Sequence, residues 1–264
     1  MNAIVLAAGE GKRLRPLTNN KPKCFVELFG KTLLDWQLSV FKKCGIKEIC
    51  IVTGHYSEMI EHLGLDYVVN MDFKTTNMME SLFCARDRFS ESTIVSYGDI
   101  IFNNAILESL INAKEDFSVI IDKNWRECWE MRFDDPVNDA ESLRTDDEGY
   151  ITSIGKKVTT ISEIEGQYIG LMKFQNNAIN KISKFYDKCK NESEIKKKNP
   201  LNPKISFRNS YMTDFLQGLI DDGEKIKSIN VKNGWLELDS ISDYNLYTNL
   251  DSSKAVSKFF DGND

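Results

Sequence analysis

Apolar positions follow two rhythms along this chain. Residues 3–8 form a short apolar run ending in small side chains, the pattern of a buried strand that runs into a loop. Between 31 and 44 the spacing becomes helical, with Leu34, Leu38 and Phe41 on one face and Gly45 placed as a stop. "KEICIVTG" returns to strand character. The alternation then predicts a helix over 55–63, extended "DYVVN", a helix over 78–89, extended "STIVSYGD", a helix over 104–113 and extended "FSVIID". Strands separated by helices at this spacing imply parallel crossovers, hence an α/β sheet covered on both faces. Ligands of such sheets bind beyond the carboxyl ends of the strands, where both the Gly9–Gly11 loop and Asp99 fall.

From about 123 the pattern changes to a loop carrying Trp125 and Trp129, followed by the acidic stretch "DDPVNDAESLRTDDEG". Extended segments are expected at 150–155 and 167–174, with a helix over 177–190. "KNESEIKKKNPLNPK" reads as a solvated loop, with a phosphate-binding patch as the alternative. Helix over 211–220, extended 226–231, extended "WLELD" and helix over 242–250 complete the pattern. The expected organisation is one domain over 1–250, in two parts, 1–122 and 123–250. Residues 251–264 read as a frayed tail.

At 264 residues the chain suits one fairly large domain with a substantial core. A net charge of −6 argues against nucleic acid as the main partner, since a phosphate backbone is held by a broad basic surface. Six cysteines without a C-x-x-C pair, and two histidines, resemble neither a zinc site nor a disulfide framework. Reduced, mostly buried thiols are expected. The run at 3–8 is far shorter than a signal or membrane segment, so a cytoplasmic protein with no membrane partner is expected.

Against that acidic balance, "LAAGEGKRLRPLTNNKPKC" is locally basic. A strand followed by small residues lets backbone N–H groups approach phosphate oxygens, and Gly9 and Gly11 tolerate positive φ. Arg13 as a fork and Lys23 as a point charge suit a triphosphate. The loop is no Walker motif, and the three-glycine dinucleotide pattern fails because position 14 is Leu. Taken alone, the basic cluster reads equally as a solvated loop or as an anion site.

The stretch resembles the nucleotidyltransferases that activate small phosphorylated molecules, whose opening reads L-A-A-G-x-G-x-R-L-x-P-L-T and then P-K. Leu6, Ala7, Ala8, Gly9, Gly11, Arg13, Leu14, Pro16, Leu17, Thr18, Pro22 and Lys23 match it. Lys12 stands where sugar-1-phosphate members often carry Thr. The resemblance implies a Rossmann-like, mostly parallel sheet flanked by helices, of the nucleotide-diphospho-sugar transferase type, with a small inserted acceptor-binding region; it makes 1–122 the nucleotide-binding part and 123–250 the acceptor-binding and second metal-ligand part. "SYGDI" and "GWLELD" look like the family's two strand-end aspartates, which makes Asp99 and Asp239 the implied Mg²⁺ ligands. Hard oxygen donors suit that ion. "SIGKK" resembles the lysine strand that meets the acceptor phosphate, Lys156 being preferred over Lys157.

Over most of its length the chain is similar to the cytidylyltransferase branch acting on phosphocholine and 2-aminoethylphosphonate, through "WRECWEMRFDDPVNDAESL", "GQYIGLMKF" and "YMTDFLQGLID". In the first of these, Trp125 and Trp129 offer aromatic faces to an ammonium group, Asp139 and Glu141 offer countercharge, and Arg132 could hold phosphorus oxyanions. The alternative is that the tryptophans pack and the acids form a solvated turn. The family's base contacts fall near "KTTNMMESL", pointing to Asn77 and Ser81 beside the backbone of Ala7 and Ala8; Asn77 is equally a helix N-cap. The expected reaction is transfer of CMP from CTP to a small amine-bearing phosphate or phosphonate, with Lys23, Arg13 and Lys156 acting on phosphate charge and pyrophosphate leaving. The rivals are a sugar-1-phosphate nucleotidyltransferase using UTP or dTTP and a catalytically silent nucleotide-binding subunit.

Overall fold

Asn2–Leu6 is buried along its whole length, which its unbroken apolar run requires of a strand flanked on both edges and covered on both faces. In the computed structural model, which describes residues 1–249 and 253–261, this strand lies within a seven-stranded sheet. The order across the sheet is Lys227–Val231, Phe117–Asp122, Gln167–Gln175, Ser92–Tyr97, Asn2–Leu6, Ile49–Thr53, Asp66–Val69. Ala3 pairs in parallel with Ile49 on one side and Ile94 on the other. Every pairing is parallel except those of Gln167–Gln175, which runs antiparallel to both its neighbours. The α/β class and the mostly parallel sheet therefore hold, with one inverted strand that no periodicity announces.

Helices cover the two faces. Leu33–Lys43 is capped by Thr32, whose hydroxyl accepts from the Asp35 N–H at 3.0 Å, and it buries Leu34 and Phe41 while the chain turns at Gly45 with φ +84°. Met78–Cys84 and Met212–Asp221 pack on the opposite face, around Met79, Phe83 and Phe215.

Three sequence expectations are corrected. The loop expected after 123 is instead a helix, Trp125–Arg132: Trp125, Cys128 and Trp129 form an i, i+3, i+4 stripe turned inward, and the charged residues between them face out. The helix expected to stop at 190 continues through Asn177–Lys196, because the first half of the charged run consists largely of good helix formers. The frayed tail is not what 253–261 forms: Ser253–Val256 is helical, and Phe259 and Phe260 are buried. Phe260 meets Trp36 edge-on at 5.4 Å, and the Gly234 N–H donates to the Phe259 carbonyl at 2.6 Å. The rest of that expectation, at 251–252 and 262–264, lies outside the described residues, as does residue 250 of the helix expected over 242–250. Among the described residues all six cysteines are free thiols, and no helix is long and apolar enough to cross a membrane.

Candidate active site

Two strand ends and one short loop converge at the carboxyl edge of the sheet. The Gly98 N–H donates to the Leu6 carbonyl at 2.9 Å, and a Cβ at Gly98 would sit 2.8 Å from that oxygen. Only glycine permits this approach, which sets Asp99 beside the end of the first strand. Trp235–Glu237 pairs antiparallel with Ile100–Phe102, and the Leu238 N–H donates to the Asp99 carbonyl at 2.9 Å, bringing in Asp239. From the loop, Lys23 Nζ donates to Asp99 Oδ2 and to Asp239 Oδ1, each at 2.8 Å. Arg13 contacts the other carboxylate oxygen of Asp239 at 2.6 Å, its own side chain mostly in solvent. Burial opposes the Lys23 charge, but Asp99, Asp239 and Glu237 outweigh it, so its pKa lies above the ordinary value.

Gly11 adopts φ +59°, and a Cβ there would meet the Lys23 stem at 3.0 Å and Thr18 at 3.1 Å. The buried Thr18 hydroxyl donates to the Gly11 carbonyl at 2.8 Å, closing the loop on itself. A Cβ at Gly9 would meet nothing. Among the described residues, the N–H groups of Gly9, Glu10 and Gly11 donate to no protein acceptor. Unpaired amides next to a buried ammonium make this loop suited to anionic oxygens. Lys12 instead pairs with Glu10 at 2.6 Å.

Two clefts meet at Lys23, Asp99 and Asp239. The first is lined by Leu6, Ala7, Ala8, Gly9, Lys23, Asp99, Asn77 and Ser81. The second is lined by Arg13, Asp239, Glu237, Trp129, Asp139, Glu141, Tyr97, Tyr168, Gln167 and Thr213. In the second cleft, burial raises Glu141 to a pKa of about 7; Asp214 and Asp139 add to the shift and the Thr213 hydroxyl opposes it.

Buried Asp99 Oδ1 has no hydrogen-bond partner among the described residues. An orphaned carboxylate oxygen next to a second carboxylate fits a hard divalent cation that also takes substrate phosphates. Among the described residues no cluster of three or more His, Cys, Asp or Glu side chains forms a metal cage. Two protein oxygens are what a Mg²⁺ shared with a nucleotide needs.

The family model described as a MobA-like NTP transferase domain matches residues 3–149. The chain belongs to the MobA-like NTP transferase family. This transferase is 37% identical to the CTP:phosphoglutamine cytidylyltransferase of Campylobacter jejuni over 254 residues, covering 92% of the chain and 97% of that relative. It is 33% identical to the choline-phosphate cytidylyltransferase of Streptococcus pneumoniae over 114 residues, covering 42% of the chain and 50% of that relative. Its fold is similar to that of the inositol-1-phosphate CTP transferase from T. maritima, with a TM-score of 0.70 at 23% identity, over 99% of the chain and 96% of that structure.

The transferase brings Leu6, Ala7, Ala8, Gly9, Asn77 and Ser81 together in the first cleft, whereas Gly11 does not line it and Arg13 lines the second, next to Asp239. Backbone groups there are partly committed: the Ala7 N–H donates to the Val52 carbonyl at 2.8 Å, and the Ala8 carbonyl accepts from His55 at 3.2 Å. Asn77 serves as the N-cap of Met78–Cys84, its Oδ1 accepting from the Met78 N–H at 2.8 Å, and it lines the cleft as well.

The acceptor end departs further from expectation. Trp129 lines the second cleft and donates through Nε1 to Asp139 at 3.1 Å, but its face already carries the Arg132 guanidinium at 5.2 Å. Trp125 packs edge-on against Trp129 and does not line the cleft. Arg132 is not available to an acceptor: its side chain is 2% exposed and is held by Asp243 at 2.9 and 3.2 Å and by Glu237 at 3.0 Å. The same Asp243 accepts from the Asp239 and Ser240 N–H groups at 3.1 and 2.8 Å, so Arg132 braces the Asp239 strand end. Lys156 is exposed, with its backbone N–H on Ser142 Oγ, and it does not line the cleft. Sequence reasoning passed over Tyr97, Tyr168 and Thr213. The usable signal was the second glycine of "GQYIG": Gly170 has φ +82°, and a Cβ there would lie 2.4 Å from the Tyr97 ring.

Proposed function

We propose that this nucleotidyltransferase transfers CMP from CTP to a small phosphorylated or phosphonate acceptor that bears an amine, releasing pyrophosphate. The observation that carries the reading is the Lys23 ammonium, 2.8 Å from both Asp99 and Asp239 at the junction of two clefts. One cleft takes the nucleotide and the other the acceptor, so the α-phosphorus and the attacking oxygen meet at that junction. The acceptor oxygen forms a new bond to the α-phosphorus as the bond to pyrophosphate breaks. Lys23 stabilises the charge that develops on the transferring phosphate, while Arg13 and the Gly9–Gly11 amides hold the triphosphate. Asp99 and Asp239 would hold Mg²⁺, whose chemistry when bound is to neutralise and align phosphate oxygens.

CTP is favoured by relatives whose names specify it, one of them spanning nearly the whole chain. An amine-bearing acceptor is favoured by Asp139 and Glu141 on the wall of the second cleft. With Arg132 already on the Trp129 face, a primary ammonium hydrogen-bonded to carboxylates suits this wall better than an aromatic cage. Phosphoglutamine, the acceptor named for that relative, combines an amine with a phosphoryl group and heads the candidates, followed by 2-aminoethylphosphonate and phosphocholine. These three and glucose-1-phosphate, crossed with four nucleoside triphosphates and read by pyrophosphate release, test the proposal. Turnover confined to CTP with an amine-bearing acceptor supports it. Turnover with UTP or dTTP and glucose-1-phosphate contradicts it.

A further inference from the structure

Ser81 lines the nucleotide cleft from the first turns of Met78–Cys84, and behind it lies Asn70, just past the end of Asp66–Val69. Asn70 is 1% exposed, and its amide is fully committed. Its Oδ1 accepts from the Asp72 N–H at 3.0 Å; that backbone group can only donate, which fixes which end of the amide is nitrogen. The two hydrogens on Nδ2 then go to Thr76 Oγ1 at 2.9 Å and Ser81 Oγ at 3.0 Å. The backbone of Asn70 is anchored as well, its N–H donating to the Thr53 carbonyl at 2.8 Å.

The two hydroxyls differ in where their own protons go. Thr76 passes its proton to the Asp72 carbonyl at 3.0 Å and is closed. Ser81, having accepted from Asn70, donates to no protein atom among the described residues. The Ser81 proton, for which the protein offers no acceptor among the described residues, is therefore available to the cleft, beside the second lone pair of its oxygen. We infer that Asn70 is a positioning residue for base selection: it holds the Ser81 hydroxyl as a donor facing ring N3 of the pyrimidine. Cytosine presents a lone pair at N3 and is accepted. Uracil and thymine present N3–H, which opposes a second donor and leaves both unpaired. The inference rests on reading this cleft as the nucleotide site.

The test is equilibrium binding of CTP and of UTP, in Mg²⁺ and without acceptor, to the full chain and to Asn70→Asp, Ser81→Ala and the double variant. Asn70→Asp is isosteric but replaces a donor by an acceptor, so the Ser81 proton turns away from the cleft. Each single variant is expected to lower the CTP-over-UTP affinity ratio about tenfold, and the double variant no further than either. A residue with only a structural role weakens both nucleotides alike and leaves that ratio unchanged. If Asn70→Asp does not fold, as judged by circular dichroism, Asn70→Ala serves in its place, removing both donors without adding charge.

A ratio that stays within twofold of wild type in the Asn70 variant or in Ser81→Ala overturns the inference, as do effects that multiply in the double variant. Wild type that binds CTP without preferring it to UTP also overturns it, while leaving nucleotide binding at this cleft intact. Wild type that binds no CTP removes the functional reading and the inference together.

Discussion

Arg132 and Asp243 face each other in the interior through two hydrogen bonds, at 2.9 and 3.2 Å, both side chains almost wholly buried. Removing the arginine leaves Asp243 and Glu237 without their countercharge beside Asp239. Breaking one side of a buried pair costs about 3–5 kcal/mol. Arg132→Ala is expected to lose stability on that scale in urea unfolding and to weaken turnover through the displaced Asp239. A loss below about 1 kcal/mol contradicts the bracing role.

Glu141 supplies a pH signature. Burial, with Asp214 and Asp139, raises its pKa from 4.5 to about 7 in the folded protein. Between those values the folded form holds more protons than the unfolded, so this group's contribution to stability falls as pH rises through the window. Glu141→Gln is expected to gain stability over wild type near pH 8 and not near pH 4, measured by urea unfolding at each pH. An ammonium acceptor binds the ionised carboxylate, so KM for an amine-bearing acceptor should fall as wild type passes about pH 7. In the Gln variant that KM profile should be flat. A variant that keeps the wild-type profile removes Glu141 from acceptor binding.

The proposed Mg²⁺ role of Asp99, whose Oδ1 has no hydrogen-bond partner among the described residues, predicts metal dependence. Chelation by EDTA is expected to abolish pyrophosphate release and added Mg²⁺ to restore it. Asp99→Asn should raise the Mg²⁺ concentration for half-maximal rate by about tenfold or more, since it removes a charged hard-oxygen donor. Full turnover in EDTA contradicts this assignment.

The parts legible in the sequence are those whose signals are local. The Gly9–Lys23 loop, Asp99 and Asp239 each sit at a strand end with a recognisable neighbourhood, and the structure joins them through one ammonium. The alternating strands and helices are similarly local, being set by which side chains must be covered. Arg132 was misread because its partner Asp243 is 111 residues away, and no spacing reveals that the charge is already neutralised. The Trp125–Arg132 helix was obscured by Arg126, Glu127 and Glu130, which interrupt the apolar stripe without breaking its period. Asn70 read only as the end of "DYVVN"; its three side-chain hydrogen bonds exist only once the strand end meets Asp72, Thr76 and Ser81. The inverted direction of Gln167–Gln175 is a property of the assembled sheet, invisible to periodicity.

On the proposed function, the nucleotidyl group is transferred at Lys23, between Asp99 and Asp239. The most direct measurement compares wild type and Lys23→Ala for pyrophosphate release from CTP with the best acceptor, with folding checked by circular dichroism. Loss of one group that stabilises transition-state charge costs about 10²- to 10³-fold. A loss of that size in a folded variant is the expected result, and turnover in a folded Lys23→Ala protein within about fivefold of wild type removes Lys23 from the transfer step.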